Sequence, residues 1–381
     1  MRYYLSPRVC LKWLELYSAY HIQTDELYEL DKESFGFLRD CSLKQGCYSN
    51  DREFIDYCLQ EGILVTDPVS APRPSVIESP TPSLRYLELQ ITDRCNLKCR
   101  HCYIGETSSH ELSAEQVGKV LREFEEMQGL RVMITGGEPL LHKDFHFINA
   151  MLPDFSIRKV LFSNGLLIDK TLLKGLHVDE LQISIDGLQK AHDRLRGKGS
   201  FQKAMDAVHL CSDMGFAVSI ATMVHANNLN DFEYMERLFR EIGVKDWTVD
   251  VPCISGRLTG NKDLHVSPET GGKYLKYGFG QGLHGGSEGF GCGLHLISVM
   301  ANGNVAKCTF YSDKCVGTLH DGLRECWGRI SPVRLDSLVC DCAHRESCRG
   351  GCRYRGELLN GPGGKDLYKC FSYDIINSMS G

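Results

Sequence analysis

The 381-residue chain lacks any apolar stretch approaching the roughly 18 residues that a membrane helix needs, so no membrane partner is expected. It also lacks a basic excess. Its 43 Lys and Arg face 49 Asp and Glu, for a formal net charge of −6. Without a basic face nothing drives phosphate binding, and no nucleic-acid partner is expected. Internal repeats and low-complexity tracts are missing too. The opening MRYYLSPRVCLKWLELY has no uninterrupted apolar run and no signal-peptide layout. These absences together predict a cytoplasmic globular protein.

What is abundant is cysteine, at 18 residues. In a reducing compartment a disulfide framework is not the expected use, which leaves metal or redox chemistry. Five cysteines are scattered (Cys10, Cys41, Cys47, Cys58 and Cys211) and read as small buried hydrophobes. The others crowd into residues 95–102 and a field running to Cys370.

The length predicts two or three domains. Residues 1–67 read as a small unit with strand-like runs at Tyr3–Leu5, Ala19–Gln23 and Glu26–Glu29. Helical patterns follow at Lys32–Arg39 and Asp51–Glu61. Residues 68–83 hold five of the 12 prolines and read as an extended linker. From residue 84 to about 252–256, strand and helix patterns alternate. The strands are Leu84–Ile91, Arg131–Thr135, Ile157–Phe162, Leu181–Ile185, Ala217–Thr222 and Trp247–Val251. Helices include Ser113–Met127 (Ser113 as N-cap, Gln116 at N3), Ser200–Met214 and Asp231–Ile242. Alternation of this kind means an α/β fold with parallel strands; six units fit a partial (β/α)6 TIM-type barrel, with a doubly wound sheet as the competing arrangement. Residues 257–381 are rich in glycine and cysteine and poor in regular periodicity, so metal is expected to order them.

Three groups of residues carry chemistry. The run CNLKCRHC places Cys95, Cys99 and Cys102 as C-x3-C-x2-C directly after a strand. Cubane clusters use one thiolate per iron, so three cysteines leave one iron open to a small molecule. Zinc is the alternative, but His101 lies between two of the ligands, where its ring does not easily reach the same metal. This loop resembles that of the radical SAM superfamily. The resemblance implies a 4Fe–4S cluster whose open iron chelates S-adenosylmethionine (SAM), and a 5′-deoxyadenosyl radical that abstracts a substrate hydrogen. GGEP (Gly136, Gly137, Glu138, Pro139) then resembles the family's contact to the methionine amino group. By the same resemblance Ser163, Asn164, Ser184 and Asp186 contact the ribose or carboxylate, and Arg196 lies near the SAM carboxylate. All lie at C-terminal strand ends, where parallel barrels keep their active sites, which favours the partial barrel.

The second group is C-terminal: C-x10-G-x4-C from Cys292 to Cys308, C-x-C-x5-C-x3-C at Cys340, Cys342, Cys348 and Cys352, then Cys370. With ANGNVAKC, VGTLHDGLRECW and CRGGCRYRG, it resembles the SPASM extension, which implies two auxiliary iron–sulfur clusters. Cys292, Cys308 and Cys352 would hold the first, with Cys253, Cys315, Cys326 or an open iron as the fourth position. Cys340, Cys342, Cys348 and Cys370 would hold the second; the C-x-C is one residue shorter than the family's usual C-x2-C. Zinc knuckles are the alternative. Thr309 stands where the sulfatase-maturing branch has an aspartate, which counts against that activity.

The third group, LYELDKESFGFLRDC followed by SNDREFIDYCLQEGIL, resembles the winged-helix module related to PqqD. That resemblance implies a leader peptide held by strand addition on residues 1–67; a purely stabilising or dimerising domain is the alternative. Together the groups point to a maturase that installs a thioether or carbon–carbon cross-link in a ribosomally made precursor peptide. Its reductant would be a flavodoxin or ferredoxin. Tetrapyrrole processing and a non-catalytic iron–sulfur carrier are the other readings. Tyr103, His225, Cys253 and Tyr311 are candidate proton donors to the product radical.

Overall fold

The computed structural model describes residues 1–69, 73–106, 108–284 and 288–373. Residues 70–72 of the expected linker and 374–381 of the cysteine-rich segment lie outside the described residues.

The N-terminal unit comprises β1 (Tyr4–Leu5), β2 (Val9–Trp13), β3 (Tyr17–His21), β4 (Glu26–Leu30), α1 (Lys32–Cys41), α2 (Arg52–Gln60) and β5 (Leu64–Val65). β2, β3 and β4 form an antiparallel sheet in that order, and β1 pairs with β5. Asp31 and Asp51 start the helices by accepting from Ser34 N at 2.7 Å and Phe54 N at 3.0 Å. The sequence reading missed β2 because VCLKW does not alternate. Its Lys12 is buried, and Nζ donates to Gly129 O at 2.9 Å.

The second set is β6 (Tyr86–Thr92), α3 (Ala114–Glu126), β7 (Arg131–Gly136), α4 (Phe145–Met151), β8 (Arg158–Ser163), α5 (Lys170–Lys174) and β9 (Glu180–Ser184). It continues with α6 (Gln189–Arg196), α7 (Ser200–Asp213), β10 (Ala217–Met223), α8 (Phe232–Ile242) and β11 (Asp246–Asp250). Ser113 and Gln116 close the expected capping box at the start of α3, at 3.1 and 2.8 Å. β6 to β11 lie side by side in chain order, every neighbouring pair parallel. Side chains alternate across them. Leu87, Leu89, Val132, Ile134, Leu161, Ile183 and Ile220 pack into one core with Val117, Leu121, Phe124 and Phe239 from the helices. The intervening Glu88, Thr135, Phe162, Gln182, Ser184 and Ala221 line a cavity on the other face.

The chain then forms α9 (Pro268–Tyr274), β12 (Leu296–Val299), β13 (Asn304–Ala306), β14 (Gly317–Thr318), α10 (Leu323–Gly328), α11 (Arg345–Cys348), α12 (Arg353–Asn360) and α13 (Leu367–Ser372). Here the expected loss of regular structure is corrected. β12 adds in parallel beside β6, and β13 and β14 follow antiparallel, giving nine strands. Ile297, Val299 and Val305 join the main core, as do Leu323 and Trp327 of α10. These strands are too short for a periodicity signal.

The N-terminal unit sits against the starts of β7, β8 and β9. Arg158, 0% exposed, donates to Ile22 O at 2.6 Å, Gln23 O at 2.7 Å and Glu180 at 2.6 Å. Arg131 pairs with Asp25. Among the described residues no helix is long and apolar enough to cross a membrane.

Candidate functional site

The cysteine loop leaves the C-terminal end of β6 and is held from several sides. Arg100 N donates to Leu195 O at 3.0 Å, and its guanidinium pairs with Asp263 at 2.7 Å. Asn164 Nδ2, just past β8, donates to Asn96 Oδ1 at 2.7 Å. The end of β7 comes closest. Gly137 N donates to Thr92 O at 2.9 Å and Glu138 N to Arg94 O at 2.8 Å. A Cβ on Gly137 would lie under 3.0 Å from the Arg94 carbonyl oxygen, so only glycine lets β7 lock onto the root of the loop.

These strand ends enclose a cavity of about 300 Å³. Cys95, Cys99 and Cys102 line it, as do Gly136, Gly137, Ser163, Asn164, Ser184, Asp186 and Arg196. Ten of the residues singled out in the sequence therefore face one space. Glu138 and Pro139 do not line it, although both are buried. Rather than facing a ligand's ammonium, Glu138 accepts from Ser163 Oγ at 3.0 Å and Asn164 N at 2.8 Å, tying the end of β7 to the end of β8. Burial pushes its carboxyl up to about 7 against these donors.

Arg196 and Asp186 meet each other: Nε lies 2.5 Å from Oδ2, and Met223 N donates to Oδ1 at 2.7 Å. Burial alone would raise the Asp186 carboxyl, but the charge of Arg196, helped by the Met223 N–H, outweighs it and holds it below the usual range. His101 Nε2 lies 3.6 Å from the same carboxylate. Burial pushes His101 down to about 4, so its ring is neutral.

The sequence reading missed several cavity residues. Glu88, half-buried, accepts from Ser298 Oγ and from Thr309 N at 3.0 Å. Phe310 is another, its ring 5.5 Å from that of Tyr103, whose hydroxyl accepts from Gln90 Nε2 behind the cavity wall at 3.0 Å. Polar residues at alternate positions of an otherwise apolar strand, Glu88 and Gln90, were the available signal. Of the candidate proton donors, Tyr103 and Cys253 line the cavity; His225 is bonded to Asp186 O at 2.9 Å, and Tyr311 lies outside.

The C-terminal cysteines fall into two groups. Cys308 has Cys292 and Cys352 as neighbours, and Cys352 has Cys253. Cys370 has Cys340, Cys342 and Cys348 as neighbours. Neither Cys315 nor Cys326 joins a group. Cys315 is exposed with its thiol on Ser312 O, and Cys326 is buried with its thiol on Thr318 O. Among the described residues no three His, Cys, Asp or Glu converge as around a single ion. A cluster with one thiolate per iron does not require that convergence.

Residues 89–239 match the radical SAM superfamily. The chain is 30% identical over 207 residues to the AdoMet-dependent heme synthase of Nitratidesulfovibrio vulgaris, covering 51% of this chain and 55% of the relative, so it spans about half of that protein's length. It is 28% identical over 320 residues to the mycofactocin maturase MftC of Mycolicibacterium smegmatis, covering 72% and 81%. It shares its fold with Streptococcus suis SuiB, solved bound to the precursor peptide SuiA, with a TM-score of 0.68, 15% identity and coverage of 96% and 98%.

The cavity fits the cofactors of that superfamily. Burial pushes the Cys95 thiol up to about 11 and raises Cys99, so both stay protonated until a cationic metal compensates the thiolates. Cavity-lining His101 also keeps Nδ1 buried with no hydrogen-bond partner among the described residues. Residues 89–239 thus match a radical SAM domain, and the match implies an enzyme that uses a 4Fe–4S cluster and S-adenosylmethionine.

Proposed function

We propose that this enzyme is a peptide maturase of the SPASM type, which uses a substrate radical to cross-link a ribosomally made precursor. The observation that carries the reading is the make-up of the cavity wall. Three thiols of the 95–102 loop share it with Cys253, Thr309 and Phe310, which adjoin the C-terminal cysteine groups. In this reading residues 84–256 form a partial barrel and residues 257–381 a SPASM extension. Residues 1–67 are a PqqD-like module. The likeness to MftC supports a peptide substrate, as does the SuiB fold, seen with its precursor peptide.

When bound, the cluster and SAM supply one-electron cleavage to a 5′-deoxyadenosyl radical. The chain does the rest. Cys95, Cys99 and Cys102 hold the cluster. Gly136 and Gly137 offer backbone that a ligand can approach closely, and Ser163, Asn164 and Ser184 offer hydroxyl and amide groups. The Asp186–Arg196 pair presents a guanidinium whose charge is already half satisfied, which orients a carboxylate rather than trapping it. The buried strand faces exclude water. Cys292, Cys308 and Cys352 hold one auxiliary cluster, and Cys340, Cys342, Cys348 and Cys370 the other. A flavodoxin or ferredoxin delivers the electron.

The outer edge of β4 carries no partner strand among the described residues, so a leader peptide can add there as a fourth strand.

The match to heme synthases favours a second reading, tetrapyrrole processing. Anaerobically reconstituted enzyme separates them. A mass decrease in a leader-bearing peptide encoded beside the gene, with 5′-deoxyadenosine formed and both lost in Cys95→Ala, supports the maturase. Consumption of an iron porphyrin with the peptide untouched supports the alternative.

A further inference from the structure

Cys253 lies three residues past β11, and two sets of contacts fix its position. On one side, Arg355 of α12 grips the segment just before it. Its Nη1 donates to Val251 O at 2.6 Å and to Asp250 Oδ1 at 2.9 Å. The same guanidinium pairs with buried Asp366 at 2.9 and 2.8 Å, and Asp366 accepts from Cys352 N at 2.8 Å. One buried clamp therefore sets both the strand exit and the start of α12, and it makes Cys253 and Cys352 neighbours.

On the other side, the chain just after Cys253 lies against the cysteine loop. Arg257 N donates to Cys102 O at 2.9 Å. Gly256 has φ +50°, and a Cβ there would collide with the same carbonyl, so the approach is built into the backbone. Cys253 is 3% exposed and lines the cavity. A cysteine buried merely as a small hydrophobe, as Cys211 is in the main core, has no thiol neighbour of this kind.

We infer that Cys253 supplies the fourth thiolate of the cluster held by Cys292, Cys308 and Cys352. The inference rests on the reading that those three cysteines bind a cluster. With four thiolates that cluster has no open iron, so it cannot coordinate a substrate cysteine. Its use is to pass electrons at the cavity wall.

The test uses full-length protein carrying Cys95→Ala, Cys99→Ala and Cys102→Ala, reconstituted anaerobically, so that only the C-terminal sites load. About eight irons per chain are expected from two cubanes. Adding Cys253→Ser should remove between about one and four irons, or turn one four-iron Mössbauer and EPR signature into that of a site-differentiated or three-iron cluster. Cys315→Ser and Cys326→Ser should leave iron content and spectra unchanged, and circular dichroism checks the folding of each variant. Unchanged iron and spectra in folded Cys253→Ser, or the same change in Cys315→Ser or Cys326→Ser, overturn the assignment. A parent variant that binds no iron at all removes the auxiliary-cluster reading beneath it, a different and separately visible failure.

Discussion

Gly137 passes so close to Arg94 that a side chain of any size at position 137 would press on the Arg94 carbonyl, one residue before Cys95. The contact makes the root of the cysteine loop and the end of β7 a single rigid unit. Gly137→Ala must therefore move the loop by a few tenths of an ångström or more. Misplacement on the 1 Å scale costs about 10²-fold in rate. We expect 5′-deoxyadenosine formation to drop by about that factor while iron content stays near wild type. Full activity in Gly137→Ala would show that the loop is not held from this side.

This contact also shows what the sequence makes legible. CNLKCRHC and GGEP are local strings, each set by one loop's geometry, and they lead to residues that now share a cavity. Six parallel strands were readable because apolar residues recur on one face of each, between helical patterns. The partners of Glu138 were not readable, since its bonds to Ser163 and Asn164 cross from one strand end to the next. β12 carries only four residues and depends on β6 for its pairing. Lys12 reads as a surface residue and is buried, because its acceptor, Gly129 O, is 117 residues away. Cys253 stands far from every other cysteine in sequence, and only the Arg355 clamp brings it to Cys352.

Glu138 predicts a pH dependence. Its carboxyl is raised to about 7 in the fold from an ordinary value of about 4.3. Between those values the folded chain holds a proton that the unfolded chain has released. The stability this contributes is present at low pH and is lost as pH rises from about 4 towards about 7. The loss should be on the order of 3 kcal/mol across that window, at 1.36 kcal/mol per pKa unit. Urea denaturation at a series of pH values should show this slope in the wild type and not in Glu138→Gln. Parallel curves for the two proteins would contradict the buried, protonated carboxyl.

Arg158 predicts how the N-terminal unit is attached. Its guanidinium is fully buried between Ile22, Gln23 and Glu180, so Arg158→Leu leaves the Glu180 carboxylate short of its closest cation. Breaking a buried pair by removing one partner costs about 3–5 kcal/mol. With the N-terminal unit loosened from the sheet, residues 73–83 that connect the two should be cut faster by protease, which limited proteolysis with mass spectrometry would read. The same contacts make deletion of residues 1–67 a poor test of leader binding, because it exposes Arg158 and Arg131 together.

The last prediction concerns peptide length. The N-terminal unit contacts Arg131 and Arg158, the first residues of β7 and β8, whereas the cavity opens at the other end of those strands. β7 and β8 are six residues long, and at about 3.3 Å per residue the sheet separates the two by about 20 Å. A leader paired with β4 must therefore be joined to the modified residue by at least about six extended residues. Peptides with the spacer shortened below that length should still protect the amides of Glu26–Leu30 from hydrogen exchange, since docking is intact. They should nevertheless go unmodified, because the core residue cannot reach the cavity. Protection of another segment would move the leader elsewhere, and efficient modification of a peptide with a three-residue spacer would exclude docking on this face of the sheet.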